Sequence, residues 1–261
     1  PVELVGTLSS VLATAALPTS RVGVQYVSFE KAAVSIGGLG IPDLEGAARL
    51  SEAGELLSLS LYSLDRSLNV EARLQAPGVE VTLNGVGWKP YQSSPFLFDS
   101  ISVKGRSESG AFSIGSMELR LFDGLIQGSA VLRNDAARSI SGELVFERLN
   151  VSRLGAALGL GQQFSGDTAG NVRFSASADS WAAIFSAINA DGEFSMRRGN
   201  IQGVDLAEAV RRVSNTPVQG GATMFEQLTG KIRLTPMNYQ FLGLVMDSGL
   251  MQSTGFVSVS K

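Results

Sequence analysis

The sequence predicts a mainly β protein: an elongated, curved antiparallel sheet, a β-groove or partly open barrel, with a few short helices. Three observations carry this expectation. Apolar and polar residues alternate with period two in many short stretches, the signature of strands with one dry and one wet face. The segments between them are brief and rich in Gly, Asp, Asn and Ser, so hairpin turns greatly outnumber crossovers long enough for parallel strands. Helical patterns are few and short, which favours an all-β class.

Along the chain, Val2 to Ser35 combines a short apolar start, a break at Pro18-Thr19-Ser20 and a weak alternation from Val22 to Phe29. Gly37 to Gly40 with Pro42 reads as a turn, and Asp43 to Leu50 as a helix or the start of a strand. Leu57, Leu59 and Leu61 alternate with polar residues, as do Leu68, Val70, Ala72 and Leu74, with Asp65-Arg66 as the hairpin turn between the two runs. Val79 to Leu83 is a further strand and Trp88 to Pro95 a loop. A cascade of short strands follows at Phe96–Phe98, Ile101–Lys104, Ala111–Ile114, Met117–Leu121, Leu125–Leu132 and Ile140–Phe146. Ser152 is the expected cap of a helix over Arg153 to Leu158, and Asp179 or Ser180 of one over Trp181 to Ile188. Gly166 to Gly170 between them reads as a loop, and Val172 to Ala176 as a strand.

The densest stretch begins at Ala190. Phe194 and Met196 alternate with Glu193, Ser195 and Arg197, and Arg198-Gly199-Asn200 reads as a tight turn returning the chain through Ile201 and Gly203. Asp205 then stands at an N-cap with Glu208 three residues on, and Leu206, Ala209, Val210 and Val213 share one face of a short helix closed by Arg211 and Arg212. After Gly220-Gly221, Thr223 and Glu226 read as a second capping box, and Lys231 to Leu234 alternates again. Glu118 to Gly128 aligns with Glu193 to Gly203 through the Glu, the Gly and the Ile-Gln-Gly ending, either as a repeated strand–turn–strand unit or by convergence.

The order of Gly192, Phe194, Gly199, Ile201, Gly203, Asp205 and Leu206, then Gly220, Gly221, Thr223, Phe225, Leu228 and Gly230, resembles the C-terminal region of the AsmA-like proteins of Gram-negative bacteria, which include the larger YhdP and TamB-like relatives. Leu119 to Arg173 also looks like that family, whereas residues before about Gly105 match only in texture. One departure is the turn Thr235-Pro236-Met237-Asn238, where relatives use an Asn-Gly-like pair. The resemblance implies a division at residues 1–104, a β-rich N-terminal segment, and 105–261, an AsmA-like β-groove segment continuous with it. It implies a role in bridge-like phospholipid transport supporting outer-membrane biogenesis and integrity. It also implies a periplasmic location, attachment to the inner membrane through an anchor in a preceding segment, and an outer-membrane or envelope protein partner. In this resemblance Gly192, Gly199, Gly203, Asp205, Thr223 and Phe225 are structural motif positions.

Composition bounds the rest. At 261 residues the chain has room for one large β domain or two ordinary ones, and 44% hydrophobic against 17% charged residues is apolar for a soluble protein. No apolar run reaches the roughly 18 residues of a transmembrane helix. Pro1 opens neither a signal peptide nor an initiator, so the chain reads as a piece of a longer protein. A net charge of −3 supplies no excess of cations for a nucleic-acid partner. The absence of Cys removes disulfides and thiolate metal sites, and the absence of His removes the commonest general base and transition-metal ligand. No nucleophile elbow, phosphate-binding Gly loop or zinc-protease motif occurs, and the nearest carboxylate groupings, Asp43 with Glu45, Glu52 with Glu55 and Asp205 with Glu208, read as turn, helix-end or capping charges. Trp88 and Trp181 read as loop-anchoring and helix-packing residues, and the expectation is a non-enzyme without cofactor or metal.

What remains is an apolar face. Leu119, Leu121, Leu144, Phe146, Val172, Phe174, Phe194, Met196, Ile232 and Leu234 fall on the dry side of their strands. They line either an ordinary closed core or, because so few helices exist to cover so much sheet, an open groove for an acyl lipid. A non-catalytic structural or interaction module of an envelope-assembly protein is the alternative reading.

Overall fold

The computed structural model describes residues 26–36, 39–53, 55–135, 137–157, 159, 164–205, 208, 218–249 and 251–260. They form a 14-stranded sheet in which every strand lies beside its neighbours in sequence, from β1 (Tyr26–Ile36) to β14 (Gln252–Ser260), and the two end strands do not meet to close a barrel. Between them run β2 (Leu39–Leu50), β3 (Leu56–Ser63), β4 (Leu68–Gln75), β5 (Gly78–Trp88), β6 (Phe98–Glu108), β7 (Ala111–Leu121), β8 (Gly124–Asn134), β9 (Arg138–Asn150), β10 (Phe164–Ala178), β11 (Asn189–Asp205), β12 (Val218–Leu234) and β13 (Asn238–Asp247). Nine of the thirteen connections are two to five residues long, and such a turn can reach only an antiparallel neighbour; the four longer ones, after β5, β9, β10 and β11, return to the adjacent position as well. Among the described residues the helices are α1 (Val151–Ala157) and α2 (Trp181–Ile184), the latter running into a 3₁₀ turn at Phe185–Ala187.

The chain divides into two compact units. The first comprises residues 1–119, 127–142 and 175–187. Its strands place Leu61, Val70, Leu83 and Val103 directly opposite one another across β3 to β6, and Leu59, Ala72 and Val81 in the next row. Leu44 and Val70 are 0% exposed and Leu68 1%, so this unit encloses a dry core. Trp88 closes one end of it, stacked on Phe98 with ring centroids 5.5 Å apart, the anchoring role its sequence context suggested. The expected hairpin at Asp65-Arg66 is present. Ser63 Oγ and Ser67 Oγ both donate to Asp65 Oδ1, at 2.6 and 2.7 Å, and the Ser67 N–H joins them at 3.0 Å, which holds the Asp65 carboxyl down at about 2. In α2 the Ser180 side chain accepts from Ala183 N, so Ser180 rather than Asp179 is the cap.

The second unit comprises residues 120–126, 143–174 and 188–261. Here the structure corrects several expectations. β11 does not turn at Arg198-Gly199-Asn200 but runs unbroken from Asn189 to Asp205, paired with β12 on both sides of that point, Arg197 opposite Gln227 and Gly199 opposite Phe225. A hairpin turn of the expected kind needs two residues at positive φ; Arg198 alone has it, at 51°, and a single such residue shifts the phase of the strand instead of reversing it. Arg197 and Arg198 are accordingly both exposed, as are Glu226 and Gln227 across from them. Thr223 and Glu226 form no capping box, since both lie in β12 with Thr223 buried opposite Ile201. Strand pairing on β11 overrides the local capping signal there.

Gly166 to Gly170 is likewise strand, inside β10. Asp43 to Leu50, left open between helix and strand, is part of β2. The alignment of Glu118–Gly128 with Glu193–Gly203 is not a structural repeat, because the first segment turns at Phe122-Asp123, φ 52° and 62°, while the second passes straight through. In α1 the cap is Asn150, whose Oδ1 accepts from Arg153 N at 3.1 Å, and Ser152 instead donates to the Phe164 carbonyl. Thr235-Pro236-Met237 does form the β12–β13 turn, closed by Thr235 N to Asn238 O at 2.9 Å and by Asn238 N to Thr235 Oγ1 at 3.1 Å. Asp205 Oδ1 accepts from the helical Glu208 N at 2.8 Å, the bond of an N-cap, but apart from Glu208 the helix expected over 206–213 lies outside the described residues, as does the apolar start at 2–17.

Candidate functional site: the apolar face of the second unit

Within the second unit the two sides of the sheet are chemically distinct. One side carries cross-strand ion pairs: Glu143 with Arg173, Asp191 with Arg233 at 3.0 Å, Glu193 with Lys231 at 3.6 Å and Asp167 with Arg198 at 3.5 Å. These pairs are exposed, so each is worth about 0–1 kcal/mol and they chiefly mark the wet face. The alternate residues Leu144, Phe146, Val172, Phe174, Phe194, Ile232 and Leu234 form the other side and are partly buried. Leu121 and Met196 are buried, at 4% and 7% exposure. Leu119, on β7 in the first unit, is partly buried.

Glycines set the height of this apolar face. Gly192 faces Ile232, and Gly230 faces Phe194, in the β11–β12 register. A Cβ on Gly230 would come within 3.1 Å of the Phe194 ring and 2.6 Å of Leu244 Cδ2, and one on Gly170 within 2.8 Å of the Phe146 ring. The rings of Phe146 and Phe194 therefore lie down over the backbone of neighbouring strands, where any larger residue would lift them. Phe241 of β13 meets Phe194 edge to face at 6.2 Å. The result is a low surface of rings and aliphatic side chains spread over adjacent strands.

One end of this surface is closed. Met196, Phe225, Leu228 and Met246 form a buried cluster, with Phe194, Ile201, Leu244 and Val151 of α1 packed against it. Phe225 is 3% exposed and its ring lies on Gly199, where a Cβ would collide with it. Two of the motif positions, Gly199 and Phe225, thus form a single packing unit. Gly203, at φ 84°, sits at the register irregularity between Gln202 and Val204, and Gly192 is held against the Asn171 carbonyl.

A depression of about 510 Å³ also lies in this unit, bordered by Asn171, Glu193, Thr229 and Lys231. Glu193 and Lys231 among these are ion-paired, and Asn171 and Thr229 alternate with the apolar residues of their strands, while Gly170, Phe194 and Gly230 between them also border the depression. Among the described residues no cluster of carboxylates, Cys or His could hold a metal ion, and no helix is long and apolar enough to cross a membrane.

Sequence reasoning missed Phe241, Leu244 and Gly170. Tyr239 and Phe241 do alternate, but Gly243, at φ 55°, introduces a bulge against β12 that shifts the phase to Leu244 and Met246, and this hides the strand from a period-two reading. Gly170 carried no signal because its role depends on what lies across β10. Compared with known proteins, the chain matches no family model, no curated protein and no solved structure.

Proposed function

We propose that this chain is a non-catalytic β-sheet segment that shields phospholipid acyl chains on the apolar face of its second unit, as part of a periplasmic, AsmA-like lipid-transport protein. The observation that carries the reading is the contrast between the two units. The first buries Leu44, Leu68 and Val70 to 1% exposure or less. The second leaves Phe146, Phe174, Phe194 and Ile232 partly open to solvent, and α1 meets its buried cluster through Val151, at the Met196–Phe225 end. An acyl chain of about 16 carbons costs on the order of 13 kcal/mol in water, at about 0.8 kcal/mol per CH₂, so a lipid crossing an aqueous gap needs such a surface. A sheet suits the task because its backbone polar groups pair along the ladder and present only side chains to the tail. The family, the location and the inner-membrane attachment rest on the motif resemblance alone.

Native mass spectrometry with lipid extraction tests the reading, repeated on Phe146→Asp and Phe194→Asp. Co-purifying phospholipid that disappears in both variants, with circular dichroism unchanged, is the expected result. A protein free of lipid in both forms overturns it and favours the alternative, a structural module that docks an envelope partner.

A further inference from the structure

The depression of the second unit has a build that acyl shielding does not use. In the β11–β12 register Glu193 stands opposite Lys231 and Ser195 opposite Thr229. Residues two apart in a strand point to the same side, so these four side chains share one side of the sheet. A Cβ on Gly170 would come within 3.0 Å of Phe194 Cα, and one on Gly192 within 3.0 Å of Val172 Cα, which sets Asn171 beside Glu193 and Ala169 beside Ser195. Two rows result. Asn171, Glu193 and Lys231 are long, polar and exposed; Ala169, Ser195 and Thr229 in the next row are short and half-buried. The step from one row to the other forms the depression. On β13 the register irregularity between Thr229 and Lys231 brings Gly243 to its border, at φ 55° and with nothing within 4 Å of a Cβ, so that residue adds no side chain to fill it.

The chemistry around this step selects a neutral ligand rich in hydroxyls. The Glu193 carboxylate accepts hydrogen bonds, the Lys231 ammonium donates them and the Asn171 amide does both. Glu193 and Lys231 are paired at 3.6 Å, so the border carries no net charge; an anion would meet the carboxylate and a cation the ammonium. Ser195 Oγ has no hydrogen-bond partner among the described residues, so turning it towards a ligand breaks no bond. An apolar ligand would strip water from these groups and return no hydrogen bonds. The volume of about 510 Å³ lies within the ~300–1,000 Å³ of small-molecule sites.

We propose that this depression binds a neutral sugar. Each hydroxyl of a sugar ring both donates and accepts, so adjacent hydroxyls bridge the Glu193 carboxylate and the Lys231 ammonium without separating the pair, and the Asn171 amide takes a third. The C–H face of the ring lies on the Ala169 methyl group and the strand backbone, with the hydroxyls of Ser195 and Thr229 beneath it.

Amide NMR on the isotope-labelled chain tests this, with cellobiose and chitobiose as neutral probes and inorganic phosphate and ethanolamine as charged ones. At least one disaccharide should move the amides of Gly170, Ser195, Gly230 and Gly243 in a saturable way, with a dissociation constant on the order of 1 mM, and neither ion should. Asn171→Ala and Lys231→Met alter exposed side chains, so the remaining spectrum should stay in place while the sugar binds about fivefold more weakly, the share of one hydrogen bond. Glu193→Gln, which keeps an acceptor, should lose less affinity than Glu193→Ala. No saturable shift with either sugar, an equal response to phosphate or ethanolamine, or unchanged affinity in Asn171→Ala and Lys231→Met would each overturn the proposal. Should one of these two variants fail to fold, the other decides. The titration involves no lipid, so failure of sugar binding and failure of the acyl-shielding reading remain distinguishable.

Discussion

Truncating one ring in the closed cluster and one on the open surface separates a groove from an ordinary core. Phe225 is 3% exposed, packed among Met196, Leu228 and Met246 with its ring on Gly199. Phe225→Ala removes the ring and leaves a cavity that rigid strands on both sides cannot close, so the cost should be about 3–5 kcal/mol. Phe146 lies over Gly170 on the partly open part of the same unit. Phe146→Ala loses a fraction of the ~1.5–3 kcal/mol transfer value of a fully buried ring, and solvent fills the space, so no cavity term is added; about 1–2 kcal/mol is expected. Hydrogen exchange of the β11 and β12 amides under native conditions is the suitable assay, because both tryptophans, Trp88 and Trp181, lie in the first unit and their fluorescence reports on that unit. A Phe146→Ala penalty equal to that of Phe225→Ala would refute the reasoning. It would mean that the surface is a closed core, and the acyl-shielding reading would lose its physical basis.

Gly199→Ala should destabilise the second unit by roughly 1–3 kcal/mol, since its methyl would meet the Phe225 ring and the Ser165 carbonyl, whereas Gly115→Ala, with open space around it, should change stability by less than about 0.5 kcal/mol in urea titrations. In the β3–β4 turn the Asp65 carboxyl is depressed to about 2 from an ordinary 3.8, so the stability it gives the turn is present above about pH 4 and is lost as pH falls towards 2. Replacing Ser63 and Ser67 by Ala should return the Asp65 carboxyl-carbon titration in NMR towards its ordinary value; an unmoved midpoint would show that these hydroxyls are not the cause.

Local sequence determined the class and much of the strand inventory of this protein. Period-two alternation at Leu57–Leu61, Leu68–Leu74 and Glu193–Arg197 needs no tertiary information, because a strand sends successive side chains to opposite faces whatever it pairs with. The Asp65 hairpin and a cap at Asp179 or Ser180, of which the structure uses Ser180, were legible for the same reason, as each is a bond within a few residues. What the sequence misjudged is where strands end. Arg198-Gly199-Asn200, Thr223 with Glu226, and Gly166 to Gly170 carry turn, cap and loop chemistry, yet all lie within long strands, because the ladders on either side supply hydrogen bonds to every residue of the segment and outweigh a single local preference. The bulge at Gly243 was equally invisible, since a bulge exists only relative to a partner strand, and so was the positive φ at Arg198, across which the β11–β12 register runs unbroken. The candidate site divides along the same line. Alternation named the apolar residues, but which of them are enclosed, as Met196 is, and which stay partly exposed, as Phe146 and Phe194 do, depends on which residues the neighbouring strands place opposite them: glycine under a ring, or methionine and leucine around it. Burial is a property of neighbours distant in sequence, and only the tertiary structure brings those neighbours together.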